Sequence, residues 1–423
     1  MAVSEQPDVP DESWPGVRAR RLARHSLDVP AAAGRIPAVA GAICGAHAQV
    51  MSAAELSIGL RTAGTTRADV RRALWEDRTL VKTFGPRGTV HLLPSHELPL
   101  WTGALAAVPM PPGGLPVAAR MDGAQTDAVV GAVADVLREG EPPTVDELSE
   151  AVIARLGDWA ADPVVPGFDG MWPRWRQALH TAGHRGVLCF GPNRGRKVTY
   201  TSPDRWLPGF TPMDADAAQA EVLRRYLRAY GPANARHFAQ WLSAPRPWAN
   251  ALFASLREEL RPVGRGASGG SGETGESAGT TAGTTAGTTL FELADEQADP
   301  PGAGPDGAGP DGADPDGLRL LPYFDAYAVG SHPRARVYPG QAAERALTRG
   351  QAGTVQVVTI GGVVSGVWHQ KRSGRKVAIK VEAFQELTKR QLADLEAQSE
   401  RVGQILEAVP SLTLGAVDTG RHL

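Results

Sequence analysis

Three times along this chain of 423 residues, helix-patterned sequence runs into a short hairpin with a turn built from Gly, Pro, Asn or Arg. That recurring switch of period constrains the fold more than any single motif, because helix and strand patterns bury different faces. In the first copy, Arg35 to Ala42 reads as a short helix. Ser52-Ala-Ala-Glu55 has the capping-box form and predicts a second helix to about Thr62. Thr66-Arg-Ala-Asp69 opens a third, with Val70, Leu74 and Trp75 on its apolar side. Thr79 to Phe84 then reads as a strand, Gly85-Pro86-Arg87-Gly88 as a turn and Thr89 to Leu93 as the returning strand.

The second copy has a helix from Thr144 to Leu156, its capping box closed by Glu147, and another from Trp172 to Arg185. Val187 to Phe190, the turn Pro192-Asn-Arg-Gly195 and Lys197 to Thr201 form its hairpin. The third has helices over Ala217 to Tyr230, Ala233 to Leu242 and Trp248 to Leu260, with Gly231-Pro232 as a break. Its hairpin pairs Leu260 to Val263 with Leu290 to Ala294, and a Gly/Thr-rich tract forms the tip. Helices followed by a hairpin is the winged-helix plan, a relative of the helix-turn-helix. Three unrelated helical segments are the alternative.

Beyond residue 330 the period changes. Val355 to Ile360, Val363 to Gln370 and Lys376 to Glu382 alternate as strands, with a tight turn at Gly361-Gly362. The next turn, Lys371-Arg372-Ser373-Gly374, is flanked by Trp368, His369, Gln370, Arg375 and Lys376. A basic tip beside an aromatic suits a DNA groove. Lys and Arg also guard ordinary exposed turns. An amphipathic helix over 384–408 closes the chain, so the expected class is α+β.

The net charge of −2 conceals a basic body. Residues 266–317 hold ten acids and no Lys or Arg, and residues 1–13 hold four acids and no base. Without them, 32 acids face 44 bases, a balance of about +12 that favours a polyanionic partner. The tracts 266–289 and 300–317 repeat small residues and cannot bury enough apolar area to order themselves, so they read as insertions in a loop. Cys44 and Cys189 are the only cysteines, which excludes a disulfide framework and a Cys-based zinc site and fits a reducing cytoplasm. No run reaches the roughly 18 apolar residues of a membrane span, and the acidic start has the wrong charge for a leader peptide.

The dispersed segments RARRLARHSL from Arg18 to Leu27, GAHAQ at 45–49, RGTVHLLP at 87–94, YGPANARHFAQWL at 230–242, LLPYFDAY at 320–327 and GVWHQKRSGRKVAIKVEAF at 366–384 resemble the bacterial winged-helix DNA glycosylases of the AlkZ and YcaQ type. The resemblance implies three tandem winged helices around a concave, DNA-sized channel, with a C-terminal hairpin reaching in. The expected division is a disordered 1–13, winged helices at 14–120, 121–210 and 211–330, and a hairpin region with a closing helix at 331–423. Members carry a short Q-x-Q or Q-x-D motif in the first unit. Here the matching place reads His47-Ala48-Gln49, which resembles an H-x-Q branch associated with resistance to bulky DNA-alkylating natural products.

That motif sits in a connector between helices, where an extended chain places positions i and i+2 on one face. His47 would then accept a proton from a water or orient it, and Gln49 would fix its position. A hydrogen-bonded connector histidine beside an exposed glutamine is the alternative. The resemblance makes Arg87, Thr89, His91, Lys371, Arg372, Arg375 and Lys376 DNA contacts, and brings Trp368, His369 and Gln370 towards the lesion. Asp325 is a candidate to stabilise the sugar cation, or else a buried hydrogen-bonding group. Lys82 is the lysine nearest the motif in sequence, so a monofunctional enzyme leaving an intact abasic site is expected. His180 and His184 lack a third ligand nearby and read as polar-face residues. No metal or cofactor is expected. The expected partner is double-stranded DNA containing alkylated purines, bound by a monomer. A non-catalytic winged-helix regulator is the competing function, although tandem unlike units do not predict a palindromic site.

Overall fold

The computed structural model describes residues 13–109, 114–167, 170–263, 289–295, 314 and 316–418. The expected disordered tail and the two low-complexity tracts, including the tip of the third hairpin, lie outside these residues apart from a few at their edges. The described residues mix helices with two larger sheets, one of three strands and one of five, and three two-stranded hairpins.

In the first helix-plus-hairpin unit, helices Ile36–Ala42, Met51–Arg61 and Arg67–Trp75 precede the hairpin Leu80–Phe84 and Val90–Pro94. The Thr66 capping box forms: Thr66 Oγ1 accepts from the Asp69 N–H at 3.3 Å, and Asp69 accepts from the Thr66 N–H at 2.9 Å. The Ser52 box does not. The helix starts at Met51, placing Ser52 inside its first turn. Glu55 is buried and turns to Arg71 at 2.6 Å and Arg67 at 3.8 Å on the next helix. A carboxylate deprived of water takes a cation before a backbone N–H.

The second unit holds Gly123–Arg138, a helix without a counterpart in the sequence reading, and Val145–Leu156 with the expected Thr144–Glu147 box. The single helix expected from Trp172 to Arg185 is broken into strand Gly170–Pro173, a 3-10 turn over Arg174–Ala178 and helix Leu179–His184. Pro173 accounts for the break, because a residue before proline is pushed towards extended backbone. Hairpins Cys189–Arg194 with Lys197–Thr201 and Leu260–Val263 with Leu290–Leu293 form near the expected places. The latter follows helices Ala215–Tyr230, Ala235–Leu242 and Arg246–Ser255.

The five-stranded sheet runs Leu318–Leu321, Gln356–Ile360, Val363–Ser373, Lys376–Ala383 and Val409–Leu414, the last pair parallel. Its long hairpin reaches the pair Ser373 and Lys376, so Lys371 and Arg372 belong to a strand rather than to the turn. Helix Lys389–Leu406 lies over this sheet. Its Leu395, Val402 and Ile405 share one core with Val358, Val377 and Ile379, and with Leu56 and Leu60 of the Met51–Arg61 helix. A Cβ on Gly59 would stand 2.7 Å from Ile405, so glycine sets how closely the two helices approach. Arg401 donates to Gly59 O at 2.7 Å and Thr62 O at 2.8 Å, which caps the earlier helix at its negative end. The C-terminal sheet is thereby locked to the helix that follows the His47 connector. Among the described residues no helix is long and apolar enough to cross a membrane.

Candidate active site

The connector after helix Ile36–Ala42 is pulled into the first sheet. Ala46–His47 is a two-residue strand on Val90–Pro94, with His47 opposite His91. The Ala48 N–H continues the ladder to Val90 O at 2.7 Å. Gly45, at φ +97°, makes the turn into this strand; a Cβ there would stand 2.7 Å from Leu93 and 3.3 Å from His91.

His47 is 8% exposed. Its ring stacks on Phe324 with centroids 4.3 Å apart and meets His91 edge-on at 5.1 Å. Its Nδ1 is buried and has no hydrogen-bond partner. Burial, reinforced by the Arg87 cation, lowers its pKa to about 3, so the imidazole is neutral at working pH. Phe324 is held by its own backbone. It sits at φ +54°, and its N–H donates to Gly353 O at 2.8 Å. Gly353 lies at φ +106°, and a Cβ there would stand 3.0 Å from the Phe324 ring.

A cavity of about 700 Å³ opens beside His47 and carries the Arg87, Arg246 and Arg334 side chains on its wall. Arg87 sits in the 3-10 turn Pro86–Gly88 at φ +64° and donates to Trp241 O at 2.8 Å. Desolvation lowers its pKa to about 10, which leaves it charged. The Arg87 and Arg334 guanidinium groups donate to main-chain carbonyls, of Trp241 and of Ala328 and Ser331, so they give this wall positive charge from within the fold. Thr89 lines the same cavity and donates to Pro86 O at 3.0 Å.

His91 does not reach the cavity's open side. It is 3% exposed, and its Nδ1 lies 2.9 Å from Thr89 O, which fixes Nδ1 as the donor. It backs the His47 ring. His184 is likewise buried rather than on a polar face, its Nε2 donating to Gly85 O at 3.1 Å and pinning the hairpin turn from behind. His180 neighbours it with ring centroids 5.9 Å apart. Gln49 is exposed at the bend after the strand and stands outside the cavity's lining.

Asp325 is sealed in the interior. Both its carboxylate oxygens accept from Arg61 at 2.8 Å, one also takes the Ser57 hydroxyl at 3.1 Å, and the other takes the Tyr327 N–H at 3.0 Å. Burial opposes its charge, but Arg61 outweighs that and holds the carboxyl below the usual carboxylate range. With every oxygen occupied inside the fold, it is a structural anchor next to Phe324 rather than a group facing a sugar. Trp368 is also interior: it is 1% exposed, and its indole N–H donates to Leu321 O at 2.8 Å. His369 and Gln370 are half-buried, while Lys371, Arg372, Arg375 and Lys376 are exposed along the hairpin. The structure thus brings His47, Arg87 and Thr89 together and leaves the hairpin residues as a separate group. Sequence reasoning missed Arg246 and Arg334, and of Phe324 it gave only that the resemblance places its segment near the channel. Phe324 lies inside the quoted LLPYFDAY segment, but only the folded chain shows its ring on His47.

The family model described as DNA glycosylase AlkZ-like matches residues 40–405. The curated interstrand DNA cross-link repair glycosylase of Streptomyces sahachiroi is 30% identical over 383 residues, which cover 84% of this chain and 87% of that protein. The solved structure of Streptomyces sahachiroi DNA glycosylase AlkZ is similar with a TM-score of 0.70 and 26% identity, over 95% of this chain and 99% of that one.

Proposed function

This chain belongs to the AlkZ-like DNA glycosylase family, and from that premise we propose that it hydrolyses the N-glycosidic bond of N7-alkylguanine and bulkier alkylated purines in double-stranded DNA. The product is an intact abasic site. The Streptomyces sahachiroi relative is named for interstrand cross-link repair, and its long overlap with this chain supports cross-linked purines as substrates here. The H-x-Q motif supports a role in resistance to bulky alkylating natural products. The three helix-plus-hairpin units are read as winged helices lining one DNA channel, entered by a single copy of the protein.

One observation carries the reading: a buried, neutral imidazole with an unpartnered Nδ1 lines a cavity whose other lining residues include Arg87, Arg246 and Arg334. N7 alkylation makes guanine a cation and a good leaving group, so the enzyme has little to do to the base itself. It must place a water against a sugar that is becoming positive. A neutral His47 accepts a hydrogen bond from that water without adding a like charge to the developing cation. A pKa of about 3 makes it a weak base, so its main contribution is orientation, with proton transfer late. Gln49, exposed at the bend outside the cavity, would join His47 at that water only once bound DNA closes over the connector. Arg87, Thr89 and the hairpin cations Lys371, Arg372, Arg375 and Lys376 would hold phosphates and set the register.

His47→Ala is expected to slow single-turnover excision of N7-methylguanine at least tenfold, within the roughly 10²–10⁴-fold range of a positioned acid–base group, with duplex affinity nearly unchanged. Hot alkali after incubation reads the abasic sites as strand breaks. Tight sequence-specific binding without breaks by the wild type would instead indicate a regulator. The pH profile is a second check. An ordinary imidazole with a pKa near 6.5 would lose about four-fold in rate between pH 8 and pH 6 as it protonates. The depressed value keeps His47 in its neutral form across that window, so the rate is expected to stay flat.

A further inference from the structure

A second cavity, of about 510 Å³, lies between the start of the Met51–Arg61 helix and the long hairpin, and shares no lining residue with the His47 cavity. Its feature is Gln356. This side chain is 1% exposed, yet neither its amide nitrogen nor its amide oxygen has a hydrogen-bond partner. Buried polar atoms are almost always paired, and an amide left wholly unpaired destabilises a fold unless something else uses it. Gln356 lies opposite Trp368 in the sheet, and Gln370, two residues further along that strand, shares the face. The Gln370 amide oxygen is also buried without a partner.

The other walls match the remaining parts of a nucleotide. The Met51–Arg61 helix starts here with no side-chain cap, and Ser52 in its first turn lines the cavity. An uncapped helix start attracts a phosphate, and Lys371 and Arg372 add full positive charge at the rim. Tyr323 supplies a flat ring of the kind on which bases stack. A glutamine amide, with a donor and an acceptor side by side, pairs in two-pronged fashion with a Watson–Crick edge such as the N4–H donor and N3 acceptor of cytosine.

We infer that this cavity takes one unstacked nucleotide of the bound DNA, the one left without a partner opposite the lesion, with its base edge on Gln356 and Gln370 and its phosphate at the helix start. The inference rests on the proposed function in so far as DNA must lie across the connector, since residues 47 and 50 of that one connector line the two cavities.

The test uses the full chain and two duplexes. Both carry tetrahydrofuran, a non-cleavable abasic analogue, at the lesion position. Opposite it, one carries cytosine, the partner of guanine, and the other a second tetrahydrofuran, which removes the base. Wild type is expected to bind the cytosine duplex about tenfold more tightly, the scale of one two-pronged amide–base contact. Gln356→Leu is expected to reduce that preference to less than about twofold while leaving the baseless duplex bound as before. It should also raise the melting temperature of the free protein, because leucine removes the unpaired amide. Gln370→Leu, at a half-buried position, is the second variant and should lose part of the preference. Equal wild-type affinities, or a preference that survives both substitutions, would overturn the inference. Excision of N7-methylguanine is measured separately. Excision without a base preference removes only this pocket, and a preference without excision removes only the glycosylase reading.

Discussion

Lowering the pH from 7 to 5 is expected to unfold the free protein. Among the described residues six histidines, His25, His47, His91, His184, His237 and His332, are buried. Burial is the first cause of the depressed pKa in each: about 3 for His25, His47 and His237, about 4 for His184, and well below 6.5 for His91 and His332. In the unfolded chain each titrates near 6.5. Below that pH the unfolded state binds protons that the folded state refuses, so stability falls as pH drops from about 6.5 towards about 3. At pH 5 the loss is about 2 kcal/mol for each of His25, His47, His184 and His237, on the order of 8 kcal/mol for the four, and His91 and His332 act in the same direction. That is comparable with the whole stability of a typical fold, about 5–15 kcal/mol. Tryptophan fluorescence and far-ultraviolet circular dichroism, followed against pH, should show a cooperative transition between about pH 6 and 5. A midpoint below pH 4 would mean that the histidines are not held neutral. Bound DNA should move the transition to lower pH, since it stabilises only the folded chain.

The second large effect concerns the ion pair beneath the His47 stack. Asp325→Ala leaves the Arg61 guanidinium, whose side chain is 0% exposed, without its carboxylate. Breaking a buried pair from one side costs about 3–5 kcal/mol. The carboxylate also receives the Tyr327 N–H at the start of helix Ala326–Gly330, and a lost cap adds about 1 kcal/mol. Thermal melting should show the loss. The double variant Arg61→Met with Asp325→Leu should recover much of it, because no charge is then left unpaired. Excision per folded molecule, measured at low temperature, should stay close to wild type for Asp325→Ala. A thousandfold fall there with the fold intact would restore a role at the sugar.

These two predictions mark where sequence and structure part. Local signals were legible: the Thr66 and Thr144 capping boxes, Gly361-Gly362, and the two short hairpins with Arg-containing turns all form. Each is decided by residues within a few positions of one another. The failures share a different cause. Glu55, Asp325 and Trp368 bond to partners on other elements, and the His47 ring packs on His91 from another strand, so a pattern that reads them as capping, catalytic or DNA-facing cannot see what encloses them. The strand Val409–Leu414 was missed because it is an exposed edge with no buried face to mark it. For the site, the extended connector was legible from the placing of Gly45 and the helix beyond. What was not legible is that the connector joins Val90–Pro94 as a strand and that Phe324, remote in sequence, roofs the imidazole.

That short strand has a mechanical meaning. An imidazole on a strand stitched to one backbone ladder, with an aromatic ring on one face and another histidine at its edge, is a fixed post. It cannot travel to meet a substrate. Under the proposed chemistry the duplex must bring the scissile sugar to the post, and the work of the encounter falls on bending and unstacking nucleic acid. Turnover among different adducts would then rank by how pliant each damaged site makes its helix as well as by how weak its bond to the sugar has become.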